Sequence, residues 1–245
     1  MKTYTWFALG FILLITAHAP ISGAADMEHG PISKTIIRYT EERYGPEAAS
    51  RVVAWNDLVM NYKNKPITEK LELTNIFFNR IPIKSDVATE DYEHWSTPFE
   101  MLTHNAGSHA DHAVGKYVTL EALGVSIDHL QIAHVHSTTV QDPQYMVLVY
   151  YSQPNAMPLV LDTVIGEIKP ANELNYLFPQ ESFNNDGLWL PREQEDGRNA
   201  AQLEAGAHIE ALAHIELWNE LNARMDKEFL SIEYPNKEKL LGNLK

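Results

Sequence analysis

Residues 103–124, THNAGSHADHAVGKYVTLEALG, place two histidines and an aspartate (His109, Asp111, His112) just after Gly107 and just before an apolar repeat. Val114, Tyr117, Val118 and Leu120 recur at helical spacing up to Gly124, which predicts a buried helix over roughly 108–123. The first turn of a helix leaves N–H groups unpaired, and the helix dipole stabilises an anion there. A nucleophile that passes through an oxyanion is well served at such a spot, and Gly107 is read as freeing the backbone that leads into it. The residue in the natural nucleophile position is a histidine. The stretch is therefore an active site, a metal site or the remains of one.

The metal reading takes His109 and His112, three apart on one helix, with Asp111 beside them. His134 and His136 lie two apart on one side of a predicted strand. If that strand face meets the helix start, a histidine cluster with Asp111 or Asp162 could hold zinc or copper. The spacing follows no standard pattern such as H-E-x-x-H, and eleven histidines make chance pairs common. The plainer alternative is that His109 fills a pocket and hydrogen-bonds Tyr145 or Asp162. Ser108 is a poor substitute nucleophile, because adjacent helical side chains diverge by ~100°.

The elements that must position these residues are legible in part. Pro46 suits the first position of a helix that continues through Val52, Trp55 and Leu58. A second helix starts at Pro66, buries Leu71, Leu73, Ile76 and Phe77, and ends near Asn79. Thr97-Pro98-Phe99-Glu100 is a capping-box pattern opening a short helix to His104. After Gly124 the period falls to two, and strands are predicted at 130–136, 145–151 (YMVLVYY) and 159–163 (LVLDT). Asp142-Pro143 and Gln153-Pro154-Asn155 supply turns. Residues 180–199 are polar and read as a loop, and a long amphipathic helix follows from Leu203 to Phe229, expected to pack back onto the domain. Helices followed by an antiparallel sheet make an α+β fold.

Composition narrows the function. The chain of 245 residues contains no cysteine, which excludes disulfides and thiol chemistry. A formal charge of −14 argues against nucleic acid or an anionic membrane as partner. Trp6–Ala17 is apolar, follows Lys2 and leads to Ser22-Gly23-Ala24, the pattern of a cleaved secretory signal. The expected organisation is a signal peptide at 1–24, a domain at 25–195 and a C-terminal amphipathic helix and tail at 196–245, exported and soluble without membrane insertion.

Several segments resemble one family: RYGPEAASRVVAWNDLV, LTNIFFNR, YEHWSTPFEMLTHNAGSHADHAVGKYVTLEALGV, YMVLVYY, PLVLDT and FNNDGLWL. They look like the bacterial transglutaminase-like cysteine proteinases of the LapG type, over roughly residues 36–190. The resemblance implies a transglutaminase/papain-like fold with a Cys-His-Asp triad on a helix and two strands. Where the family reads Gly-Asp-Cys-Glu-Asp-Tyr-Ala, residues 107–113 read Gly-Ser-His-Ala-Asp-His-Ala, so His109 stands at the nucleophile's place. The family's histidine opens the strand that begins here at Tyr145, and its aspartate matches Asp162. Asp111, Lys116 and Tyr117 also match family positions.

The resemblance thus implies a degenerate, inactive triad of His109, Tyr145 and Asp162. No cofactor is expected, because Ser108 and Ala110 replace the two acids that the family associates with calcium. It further implies a periplasmic location and a binding role in adhesin retention and biofilm formation. The partner would be a LapD-like inner-membrane receptor or a large surface adhesin. The alternative is an active hydrolase with altered, metal- or serine-based chemistry. Trp95, which opens the W-S-T-P segment, is expected in the core or on a docking surface.

Overall fold

All twelve residues from His109 to Leu120 are buried, so one helix forms the axis on which the other elements assemble. The structure, a computed structural model, describes residues 32–84, 94–154, 156–189 and 205–233. The signal segment at 1–24 and residues 190–199 of the polar stretch lie outside the described residues.

The helices are α1 (Lys34–Tyr44), α2 (Pro46–Tyr62), α3 (Ile67–Asn79), α4 (Pro98–His104) and α5 (His109–Ala122). A sheet follows: β1 (Leu130–Ser137), β2 (Met146–Tyr150), β3 (Leu159–Leu161), β4 (Lys169–Pro170), β5 (Leu177–Asn184) and β6 (Gly187–Trp189). The chain then enters α6 (Ala205–Glu233). Every strand pairing is antiparallel, in the order β4-β3-β2-β1-β5-β6. This is the α+β architecture that the change of period predicts.

The sheet is covered on both faces. Leu130, Ile132, Met146, Leu148 and Leu161 join the helix-side core with Phe78, Val114, Tyr117 and Leu120. Ala133, Val135, Val147, Val149 and Val160 form a second cluster on the opposite face, against Tyr176 and Ile165. That two-sided burial explains why all of β2 is apolar.

One glycine is required by space, and a second sits in a tight contact. A Cβ on Gly115 would lie 2.3 Å from Phe78 Cε1, so α5 and α3 meet too closely for a side chain there. A Cβ on Gly107 would come within 2.9 Å of Met101 Cε. Gly107 therefore serves packing against α4, which corrects the expectation of backbone freedom, and its φ is not among the positive values.

Residues 180–184 and 187–189 are not a loop: they belong to β5 and β6, joined by a turn at 185–186. A helix at 34–44 precedes the first one expected, capped by the Ser33 side chain, which accepts from Ile36 N. The C-terminal helix does pack back. Trp218 and Leu221 of α6 are in the helix-side core, and Trp218 Nε1 donates to Asn185 Oδ1 at 2.9 Å in the β5–β6 turn.

Candidate functional site

The start of α5 is held by reciprocal capping. Ser108 Oγ accepts from Asp111 N at 3.1 Å, and Asp111 Oδ2 accepts from Ser108 N at 2.9 Å. Asp111 Oδ1 accepts from Ser96 N at 2.6 Å, tying the W-S-T-P segment to the helix. These contacts occupy the Ser108 hydroxyl oxygen and both Asp111 oxygens with backbone donors.

His109 and His112 leave this turn in different company. His112 is fully buried, with Nδ1 2.8 Å from Ser108 O and Nε2 3.1 Å from Ile81 O. Burial lowers its pKa to about 4 against the opposing pull of the two carbonyls. His109 faces the sheet. Its Nδ1 lies 2.6 Å from Thr163 Oγ1, its Nε2 lies 3.8 Å from Asp142 Oδ2, and its ring meets the Tyr145 ring edge-on at 4.5 Å. Burial lowers the His109 pKa, opposed by Asp142 and Asp162 and reinforced by Lys116.

Tyr145 precedes β2, and its hydroxyl donates to Asp162 Oδ1 at 2.5 Å. Tyr176 OH donates to Asp162 Oδ2 at 2.6 Å, and Val164 N donates to Oδ1 at 2.9 Å. Burial and the Asp162 charge both raise the Tyr145 and Tyr176 phenols above their usual value. The backbone around Asp162 is pinned as well. Lys116 Nζ donates to Leu161 O and Asp162 O, each at 3.1 Å, and Asn79 Nδ2 donates to Asp162 O at 2.9 Å. Lys116 is completely buried, which lowers its pKa to about 7 although Asp162 pulls the other way.

The structure therefore brings His109, Tyr145 and Asp162 together, with His109 bonded to Thr163 rather than to either partner proposed from sequence. Thr163, Asp142 and Tyr176 are members of the site that sequence reasoning missed. Thr163 follows Asp162 directly and could have been flagged; Asp142 is brought in by the β1–β2 loop and Tyr176 by the connection from β4 into β5.

His134 is elsewhere. Its Nδ1 lies 2.9 Å from Glu181 Oε1, and His214 Nδ1 lies 2.7 Å from the same oxygen. His134 Nε2 is 2.8 Å from Pro143 O. Burial alone would raise Glu181, but bonds from the two imidazoles bring it down to about 2. His136 is exposed on β1 and packs near Phe178. The cluster imagined from His109, His112, His134 and His136 is thus divided among separate sites. Glu181 escaped notice because it lies in the stretch read as a loop, and His214 because it sits on an apolar helical face.

Trp95 is in the core, stacked on Phe183 at 5.8 Å and near His214. Its carbonyl accepts from Arg224 of α6, whose Nη1 also reaches Glu100 Oε2 at 2.9 Å. Thr97 Oγ1 donates to Glu228 Oε1 at 2.8 Å. The α4 capping box is therefore also the dock for α6. Among the described residues, no helix is long and apolar enough to cross a membrane.

No protein-family model and no curated protein matches the chain. Solved structures do. The calcium-bound LapG of Legionella pneumophila is 33% identical, with a TM-score of 0.62 over 77% of this chain and 97% of that one. A second structure, Legionella pneumophila LapG, is 30% identical with a TM-score of 0.63, covering 80% and 99% of the two chains. The EGTA-treated form is 30% identical with a TM-score of 0.64, covering 80% and 100%. At this identity, over almost the whole of each relative and with the helix–sheet order just described, the chain belongs to the LapG-type transglutaminase-like family.

Proposed function

We propose that this member of the family is a pseudoprotease that acts by binding. The observation that carries the reading is the pairing at the triad positions: imidazole at 109 and a phenol at 145 whose proton is directed at Asp162. Acyl transfer of the family's kind needs a thiolate and a base. The chain has no thiol. Tyr145 cannot serve as base, because burial and Asp162 keep it protonated at neutral pH.

The donor set at the start of α5 supports the reading that calcium is not held there. The cation takes six to eight oxygen ligands. Here Ala110 offers no side-chain oxygen, while Ser108 and both Asp111 oxygens already accept from backbone N–H groups. On this reading the exported chain sits in the periplasm and occupies the LapD-like receptor or the adhesin of an active relative, so modulating adhesin retention and biofilm formation.

One arrangement favours a second reading. Thr163 Oγ1, His109 and Asp142 stand in the order of nucleophile, base and orienting acid, with separations of 2.6 and 3.8 Å. Threonine-based hydrolysis is the form that altered chemistry would take here, since Ser108 is committed to capping. Both readings meet one experiment. The purified chain is incubated with a di-alanine adhesin segment, and cleavage and binding are followed together. Binding without cleavage supports the pseudoprotease. Cleavage that disappears in Thr163→Ala overturns it in favour of the threonine reading.

A further inference from the structure

The His134–Glu181–His214 cluster lies on β1, β5 and α6, apart from the degenerate triad, and the pseudoprotease reading does not use it. Its ligand-type atoms all lie within 4.8 Å of one another. The three residues are 6%, 2% and 1% exposed, so water cannot satisfy them freely.

The hydrogen-bond directions are informative. Pro143 O can only accept, so His134 Nε2, 2.8 Å away, carries a hydrogen. Nδ1 is then the ring atom that turns to Glu181. That atom lies 2.9 Å from Glu181 Oε1. His214 Nδ1 approaches the same oxygen at 2.7 Å. At these separations a proton lies between each imidazole and the carboxylate, and a divalent ion that displaces the protons would take the same three atoms as ligands once they spread to about 3.3 Å.

We propose that His134 Nδ1, His214 Nδ1 and a Glu181 carboxylate oxygen form a divalent transition-metal site, suited to zinc. Two imidazoles and a carboxylate are a zinc donor set, with a water completing the tetrahedron, and are wrong for the all-oxygen preference of calcium or magnesium. The bond from His134 Nε2 to Pro143 O is the outer contact that fixes a metal-binding histidine in the required tautomer. Trp95 and Phe183 flank the His214 ring at 5.8 and 6.4 Å and wall it with apolar surface. The ion would join α6 to the centre of the sheet, since each of the three elements supplies one ligand.

The test uses the full exported chain, stripped of metal with a chelator and then titrated with zinc. One zinc per chain should survive gel filtration in metal-free buffer, and the midpoint of thermal unfolding should rise on zinc addition and fall back with chelator. Cobalt in place of zinc should give the intense visible bands of a tetrahedral ion. Glu181→Gln and His214→Gln should each abolish stoichiometric binding, whereas His104→Gln, at an exposed histidine, should leave it unchanged. Should either ligand variant fail to fold, the cobalt spectrum of the unsubstituted chain decides. The proposal is overturned if the stripped chain takes up no zinc, if folded ligand variants bind it undiminished, or if the bound cobalt is octahedral.

Discussion

The Tyr145 hydroxyl and the Asp162 carboxylate stand 2.5 Å apart, with the phenol as donor. A carboxylate that would orient an imidazole in a working triad here receives two phenols and a backbone N–H. On the pseudoprotease reading, the position keeps its acid and uses it for structural hydrogen bonds.

Asp162→Leu should therefore strand Tyr145, Tyr176 and Val164 N at once. Each unsatisfied buried donor costs ~1–3 kcal/mol, though Tyr176 is half-buried and will recover part of its bond from water. Asp162→Asn keeps one acceptor oxygen and should cost no more than about a third as much. Urea unfolding of the two variants measures the gap. Equal midpoints would show that the three donors do not depend on the carboxylate.

Restoring the family's chemistry by His109→Cys with Tyr145→His should give trace cleavage of a di-alanine segment at best. The new histidine would lie beside Asp162, but Ser108 and Ala110 still stand where the resemblance places the acids associated with calcium. Turnover comparable with an active relative, measured on the same segment, would contradict the view that those acids matter.

Lys116 makes stability depend on pH. Its folded-state pKa is about 7 because of burial, against ~10.4 in the unfolded chain. Below about pH 7 both states hold the proton, and the fold bears the cost of a buried ammonium. Between about 7 and 10 the unfolded chain binds more protons, so this group adds stability as pH rises, by up to ~1.4 kcal/mol per unit. The neutral amine still has hydrogens for Leu161 O and Asp162 O. The stability difference between the unsubstituted chain and Lys116→Met should rise over that window. A flat difference would place the lysine pKa near its usual value.

Gly115→Ala should destabilise by ~1–3 kcal/mol, the usual cost of overpacking, because its methyl would overlap the Phe78 ring. In that background Phe78→Leu should cost less than it does alone. Additive effects in a double-mutant cycle would mean that α5 and α3 do not meet as described.

The fold was most legible where burial follows a simple period. The expected helix at 108–123 is observed at His109–Ala122, and the capping-box helix is observed at Pro98–His104. The β5 strand was illegible because its polar side chains have buried partners. Glu181 meets two histidines, Ser182 Oγ donates to Gln131, and Asn184 Nδ2 donates to Ile127 O and Leu130 O. Helix α1 buries only Ile36 and Thr40, too few for a visible stripe. In the site, the three triad positions could be placed through the resemblance. Thr163 and Asp142 could not, since which hydroxyl or acid meets the His109 ring is decided by how loops close around it.

The seating of α6 on the α4 cap also governs the order in which the chain can mature. Thr97 and Glu228 are 131 residues apart, and Arg224 and Glu100 are 124 apart. A nascent chain that has not yet released Trp218 leaves Tyr117 and Phe183 without the ring that packs on both. Contacts of such separation form slowly, because a long loop must close before they contribute. Until α6 arrives the helix-side core is incomplete, an interval vulnerable to proteolysis and aggregation.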